Sequence, residues 1–467
     1  MQRWSRREFV SASGTGLAGA AIIGPPALWP DERAMARAES RTDSFKLLRR
    51  EGRARGPDLP EPADFHRLPL SWYKAKIREL KSEARKRGVD SGLFLTRRWN
   101  IIYATGLFHS TTERPFACFL PMDDDDALIW LNPYLDQQLV NDWWTTRSSY
   151  YFDYHHARGG FPSRGEVVQG DTVNLYRWWG EIETPERKRP ESGAFGQMAA
   201  VMPDAGFVDI NDIMIRSRIV KDEMENRLTQ RAMDFWSEIH AFARDYLLER
   251  GTEAVDWEVA NAARLWGTAR IMDEIPQTGV PHDAVGISVG VGCRTGRTTA
   301  YPHPNQMFWK KVEPGDALQI SGVVRVGGYG GELYRSFLIS PWTEWQERVW
   351  DVHTRCYEIQ AEESYASNTC SNVAKAVHDY QVENGVEHLI YHRPGHGEGM
   401  EGHQPPYQAL GDYTVMREGM HFSNEPGLYD PENGFGFNHS NNILVSSDAG
   451  LQMGTTPATR EWCFLDL

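Results

Sequence analysis

The chain has 467 residues, with 50 Lys and Arg against 64 Asp and Glu and a formal net charge of −14. That balance argues against a nucleic-acid binder, which neutralises phosphates with Lys and Arg. Apolar residues make up 40%, and runs of ~18 apolar residues are lacking, so a globular chain of two or three domains is expected and a polytopic membrane protein is not.

The N-terminal stretch Ser5-Arg6-Arg7-Glu8-Phe9-Val10 precedes a Gly/Ala-rich apolar run over 11–28 and A-x-A sites at Ala34, Ala36 and Ala38. This order resembles a bacterial twin-arginine export signal. It implies a signal segment over 1–38, the twin-arginine translocon as partner and a periplasmic or secreted location. Pro25, Pro26, Asp31 and Glu32 are untypical of a cleaved signal, which leaves retention as a membrane anchor open. Residues 39–70 read as a polar arm punctuated by Pro57, Pro60 and Pro62.

Residues 71–212 read as a small α/β domain. Ile77, Leu80 and Ala84 recur at helical spacing within 72–87. Short apolar runs follow at 92–96, 116–121, 127–131 and 172–176, separated by turn residues. Asp123 to Asp126 read as a solvated hairpin tip. The texture changes over Arg216–Glu225, with the second domain read from residue 213. Leu228, Ala232, Phe235, Ile239, Phe242 and Tyr246 recur every three or four residues, predicting a long amphipathic helix that Gly251 ends. A second helix begins near Trp257. The five cysteines are scattered without C-x-x-C spacing, which disfavours a disulfide framework or a structural zinc site.

Chemistry concentrates in four stretches of this second region: Thr299-Ala-Tyr-Pro-His303; Ser321-Gly with Gly331-Glu332-Leu-Tyr-Arg335; Arg393-Pro-Gly-His396-Gly-Glu-Gly with His403; and Glu425-Pro-Gly with His439-Ser440. Three histidines and two glutamates flanked by Gly and Pro suggest a concave site where backbone comes close to a ligand. Here the sequence resembles the creatinase/prolidase superfamily, the pita-bread enzymes. The Arg218-x-x-Lys221-x-x-x-Glu225 and Asn100-x-x-Tyr103-x-x-Gly106 segments, the Gly-His-Gly-x-Gly motif and the Glu-Pro-Gly motif carry the resemblance. It implies an α+β pita-bread catalytic domain over 213–467, preceded by a smaller α/β creatinase-type N-terminal domain, and a homodimer.

The metallopeptidases of this superfamily hold two ions through Asp, Asp, His, Glu and Glu. By resemblance these positions fall on Ser321, Glu332 eleven residues later, His396, Glu425 and Ser440, with His439 taking the last place if the register slips by one. Serine hydroxyls are poor ligands for dications. The expectation is therefore no metal cofactor, with room for a single weakly held divalent ion. The pattern is closest to creatinase, which implies metal-independent cleavage of a C–N bond in a small cationic substrate. His303 would act as acid and base. Glu332 and Glu425 would clamp the cation, and His396 and His403 would orient it. Arg335, Phe108, Ser321 and Ser440 complete the expected substrate site. Two facing carboxylates should also repel, raising one pKa. The alternatives are a metal-dependent Xaa-Pro aminopeptidase or dipeptidase with an altered site, a lyase on the same fold, or a non-catalytic binding protein.

Overall fold

The computed structural model describes residues 66–110, 116–144, 147–151, 204–275, 284–303 and 308–467. The export signal, most of the polar arm and the strand expected at 172–176 lie outside the described residues.

Helix α1 (Leu70–Arg85) buries Trp72, Tyr73, Ile77, Leu80 and Ala84, the face its spacing predicts. It accompanies a four-stranded sheet of β1 (Gly92–Leu95), β2 (Ala117–Pro121), β3 (Ile129–Pro133) and β4 (Arg147–Tyr151), antiparallel except for the β3–β4 pair. The acidic run between β2 and β3 is exposed but anchored: buried Lys81 donates to the Asp124 carbonyl at 2.8 Å and to Asp125 Oδ1 at 3.2 Å. Helix α2 (Arg98–Thr105) closes on Gly106 at φ 73°, where a Cβ would sit 2.6 Å from the Tyr73 ring. Glycine meets both demands at once. The Tyr103 hydroxyl of the same motif donates to the Ser217 carbonyl at 2.6 Å and so ties this domain to the next.

After helix α3 (Asn211–Ile219), Asp222 caps α4 (Glu223–Arg250) in a reciprocal box with Glu225. Such a cap contributes about 1 kcal/mol. Trp72 Nε1 also donates to Asp222 at 2.6 Å, so the first domain secures the start of the second domain's longest helix. Helix α4 buries the six expected positions and ends at Gly251, and α5 (Asp256–Glu274) follows. Both pack on a sheet of β5 (Ser288–Thr295), β6 (Ala317–Val326), β7 (Tyr329–Glu332), β8 (Arg335–Ile339) and the C-terminal β16 (Phe464–Leu465), in which β7 folds back on β6. Helices α6 (Glu344–Glu363) and α7 (Cys370–Glu383) back a second sheet. Its order is β10 (Gln404–Gln408), β9 (Gly395–Gly397), β11 (His421–Ser423), β14 (Asn442–Val445) and β15 (Gly450–Gln452). The strands β12 (Leu428–Asp430) and β13 (Phe435–Phe437) form a separate hairpin. Two sheets, each backed by two helices, meet at a backbone bridge between Tyr334 and Ser440. This is the expected α+β arrangement.

The core behind that junction holds neutral histidines. His353 Nδ1 lies 3.1 Å from the Pro426 carbonyl, while its Nε2 accepts from the His439 N–H at 2.6 Å. Burial pushes His353 down to about 3 and His240 likewise to about 3, and holds His439 well below the usual range. Unfolded histidines take up protons near pH 6.5, whereas these folded ones do not until far lower. The unfolded state therefore binds more protons as pH falls below about 6.5, and stability drops by up to ~1.4 kcal/mol per pH unit for each such histidine. Thermal melts should show a clear loss between pH 7.5 and 5.5. An unchanged melting temperature across that interval would contradict the burial of neutral rings.

Candidate active site

The Gly-His-Gly motif is strand β9, and its glycines are steric requirements. A Cβ at Gly395 would lie 2.4 Å from the Ser423 carbonyl oxygen, and one at Gly397 would lie 2.6 Å from that of Gln404. Only glycine lets β9 sit this close to its neighbours. His396 between them is fully buried. Its N–H donates to Ser423 Oγ at 3.0 Å, and that hydroxyl donates to Glu425 Oε1 at 3.2 Å. The ring nitrogen Nε2 lies 3.0 Å from Glu425 Oε1 and 3.8 Å from Glu332 Oε1. His403 stacks on the His396 ring with centroids 3.8 Å apart, and Arg393 approaches His403 Nδ1 at 3.4 Å.

Glu332 ends β7, and its N–H donates to the buried Glu398 at 3.3 Å. A Cβ on the preceding Gly331 would lie 2.6 Å from Glu398 Oε2, which explains the glycine there. Behind this floor lies the linker motif. Buried Lys221 is near enough to Glu398 and Glu225 to feel both charges, and Arg218 pairs with Glu401 at 3.0 Å. The motif thus supports the Gly-His-Gly loop from below.

The electrostatics separate the carboxylates. Burial, then the charges of Glu425 and Glu398, hold Glu332 well above the ordinary carboxylate range. Burial also lifts Glu398 to about 7. Burial acts upward on Glu425 too, but the His396 hydrogen bond and charge outweigh it and bring it down to about 2. Burial would lower His396, yet Glu425, Glu332 and Glu398 together carry it up to about 9. One pKa of the facing pair is raised, as repulsion requires, and the histidine decides which.

A cleft of about 880 Å³ opens over this floor. His303, Ser321, Glu332, His403 and Glu425 line it, and His396 lies beneath. His303 is exposed on the wall, close enough to His403 for their charges to repel. Three expected site residues lie elsewhere. Arg335 is buried and gives its guanidinium to the carbonyls of Thr456, Pro457, Tyr334 and Ser440, because the side chain three residues after Glu332 points to the other face. Ser440 is fully buried, pairs with the Tyr334 backbone and does not line the cleft. His439 does not replace it, since its ring faces His353 and Trp350. Phe108 does not line the cleft of its own chain: its ring covers Gly286 and Gly328, coming within 2.7 Å and 2.3 Å of where their Cβ atoms would be.

Three residues in the site were not singled out from sequence: Tyr334, Glu398 and Arg294. Tyr334 and Glu398 sit inside motifs already quoted, and Tyr334 stands two residues from Glu332, the spacing that returns a side chain to the same face of an extended chain. Arg294 carries no motif.

Residues 227–447 match the model of metallopeptidase family M24. The solved structure of a prolidase from Thermococcus sibiricus superposes with a TM-score of 0.65 at 19% identity, covering 84% of this chain and 99% of that one. Residues 227–447 are thus an M24-type domain, within the pita-bread fold of the creatinase/prolidase superfamily. Dipeptidase PepE from Mycobacterium ulcerans shares the pita-bread fold with a TM-score of 0.64 at 19% identity, over 86% of this chain and 100% of its own. An Xaa-Pro dipeptidase of Lactobacillus delbrueckii subsp. lactis is 21% identical over 355 residues, 76% of this chain and 89% of its length.

This match corrects the expectation of a metal-free enzyme. The matching family is one of metallopeptidases, and the ligand atoms of Glu332, His396 and His403 all lie within 4.8 Å of one another. Glu332 Oε2 is buried without a hydrogen-bond partner, which suits a carboxylate able to coordinate an ion. One carboxylate and two imidazoles form a donor set fit for a borderline dication such as Zn, Mn or Co. Among the described residues, the two positions expected to complete a second ion's ligands carry no carboxylate. Ser321 offers only a hydroxyl, and Ser440 is walled off from the cleft.

Proposed function

We propose that the protein is a metal-dependent peptidase of the Xaa-Pro dipeptidase or aminopeptidase kind, working with one divalent ion held by Glu332, His396 and His403. The convergence of those three side chains on the floor of a substrate-sized cleft, within an M24 domain, is the observation that carries it. The bound ion would supply Lewis-acid polarisation at the scissile carbonyl.

The remaining roles belong to the chain. Glu425 is ionised and aimed into the cleft, and it suits the cationic amine of a short peptide. Its bond to His396 also fixes that ring's orientation. His303 is exposed on the cleft wall, where it can exchange protons with solvent and deliver one to the leaving amine. Twin-arginine export is part of the same proposal and rests on Arg6 and Arg7, outside the described residues.

Metal content and turnover of the purified protein test the reading together. Hydrolysis of an Xaa-Pro dipeptide, lost to chelator and restored near one equivalent of Mn, Co or Zn per chain, is the expected result. Failure to cleave with any of these ions would overturn it. So would chelator-resistant turnover of a guanidino compound.

A further inference from the structure

Glu332 and His396, two of the three proposed ion ligands, stand on strands of different sheets. Strand β7 pairs with β6, whereas β9 lies between β10 and β11. Their donor atoms are nevertheless 3.8 Å apart. That gap has to be held closely, because an ion shared by both tolerates errors of only about 0.2 Å in its ligand distances. The bridge between Tyr334 and Ser440 joins the sheets two residues past Glu332 and does not involve β9.

Glu398 spans the interval. Its backbone is fixed on the side of the second sheet: the N–H donates to the His421 carbonyl at 3.0 Å, and the carbonyl accepts from Gln404 Nε2 at 3.0 Å. Its carboxylate reaches the first sheet, where Oε2 accepts the Glu332 N–H at 3.3 Å. The notch that admits it is Gly331, where a Cβ would lie 2.6 Å from the same oxygen. Asn442 also reaches β7 from the second sheet, but its Nδ2 stands 3.4 Å from the Gly330 carbonyl, two residues short of the ligand.

Burying a carboxylate here is unfavourable. Glu398 is fully buried near Glu332 and Glu425, and its Oε1 has no hydrogen-bond partner among the described residues. His396, Arg325 and Lys221 lie near enough for their charges to offset part of that cost. An apolar side chain would fill the same space without it. What Glu398 adds is an acceptor for the Glu332 N–H.

Resting on the one-ion peptidase reading, we propose that Glu398 is a positioning residue: by accepting the Glu332 N–H from across the two sheets, it sets the separation of Glu332 and His396 at which an ion is held. It acts through Glu332 and is not itself among the converging donors. The role requires its acceptor oxygen rather than its negative charge.

The test compares Glu398→Gln, which keeps an acceptor oxygen, with Glu398→Met, which has a similar length and lacks one. Both variants are uncharged there, so only the acceptor separates them. Calorimetry measures binding of Mn or Zn to the chelator-stripped proteins, and hydrogen exchange measures the amides of residues 329–333 in the metal-free state. For Met, the expected affinity is roughly 10–100-fold below wild type, the usual effect of removing a group that orients a ligand. Exchange of that segment should be about tenfold faster. Gln should stay within about threefold of wild type in both measurements, since a neutral acceptor retains the bond. Glu398→Leu, also without an acceptor, repeats the comparison if the Met variant does not fold. An acceptor-free variant that binds the ion as wild type does overturns the role. A Gln variant as weak as Met overturns it too, and assigns the effect to charge. A wild-type protein that binds neither ion overturns the one-ion reading instead. Exchange in the metal-free proteins then decides Glu398: faster exchange in Met than in Gln sustains its hold on Glu332, and equal rates end it.

Discussion

Glu332→Gln is expected to lower turnover of an Xaa-Pro dipeptide by roughly 10³-fold, about 4 kcal/mol of transition-state stabilisation, and to empty the ion site. Gln is nearly isosteric, so the cleft keeps its shape. What changes is the anionic donor: an amide oxygen is a weaker partner for a dication than a carboxylate. Stability should move the other way or stay level. Glu332 is buried beside Glu425 and Glu398, and its charge is unfavourable there without a cation. The metal-free variant should therefore melt at or above the temperature of the metal-free wild type. Turnover with added metal, bound metal by mass spectrometry and melts in chelator measure the three effects separately. Activity within tenfold of wild type would remove Glu332 from the site.

The sequence shows much of this architecture because its signals are local. The buried face of α4 is visible in the spacing from Leu228 to Tyr246, and the capping box in Asp222 and Glu225. Glycine identity likewise marks where strands must touch, as at Gly395 and Gly397. The candidate site is only partly legible. Glu332, His396, His403 and Glu425 come together as expected, although about 90 residues separate the first from the last. Whether they hold an ion or a cationic substrate depends on the distances between them, which no spacing in the chain encodes. Side-chain direction is the second gap. Glu332 and Arg335 share one motif, yet the first faces the cleft and the second the core. Ser440 is hidden for a similar reason: its pairing with Tyr334 is a contact across 106 positions. Phe108 is expected from the resemblance on a loop that reaches a partner's pocket, and within its own chain its ring packs over Gly286 and Gly328.

Arg335→Met is expected to destabilise the fold by roughly 3–5 kcal/mol, the cost of leaving several buried carbonyls without a donor. The guanidinium donates through Nε to Pro457 at 2.9 Å and Thr456 at 3.1 Å, and through Nη1 to Tyr334 at 2.6 Å and Ser440 at 2.7 Å. Its plane also lies over the Tyr357 ring at 5.5 Å. None of these contacts is a carboxylate, so the charge is stabilised by carbonyl dipoles converging from three separate segments. Lysine cannot replace it, because an ammonium lacks the planar fork that reaches all of them. For a catalytic domain of this size, the loss corresponds to a fall in melting temperature of about 10 °C. Two of the orphaned carbonyls belong to Tyr334 and Ser440, the residues that join the two sheets, so the floor carrying Glu332 should loosen and turnover should fall with stability. This separates a structural arginine from a substrate-binding one. A variant that melts with wild type but has a greatly raised KM would return Arg335 to the substrate site. A variant with a lowered melting temperature, and a KM near normal in the fraction still folded, would place it in the joint between the sheets.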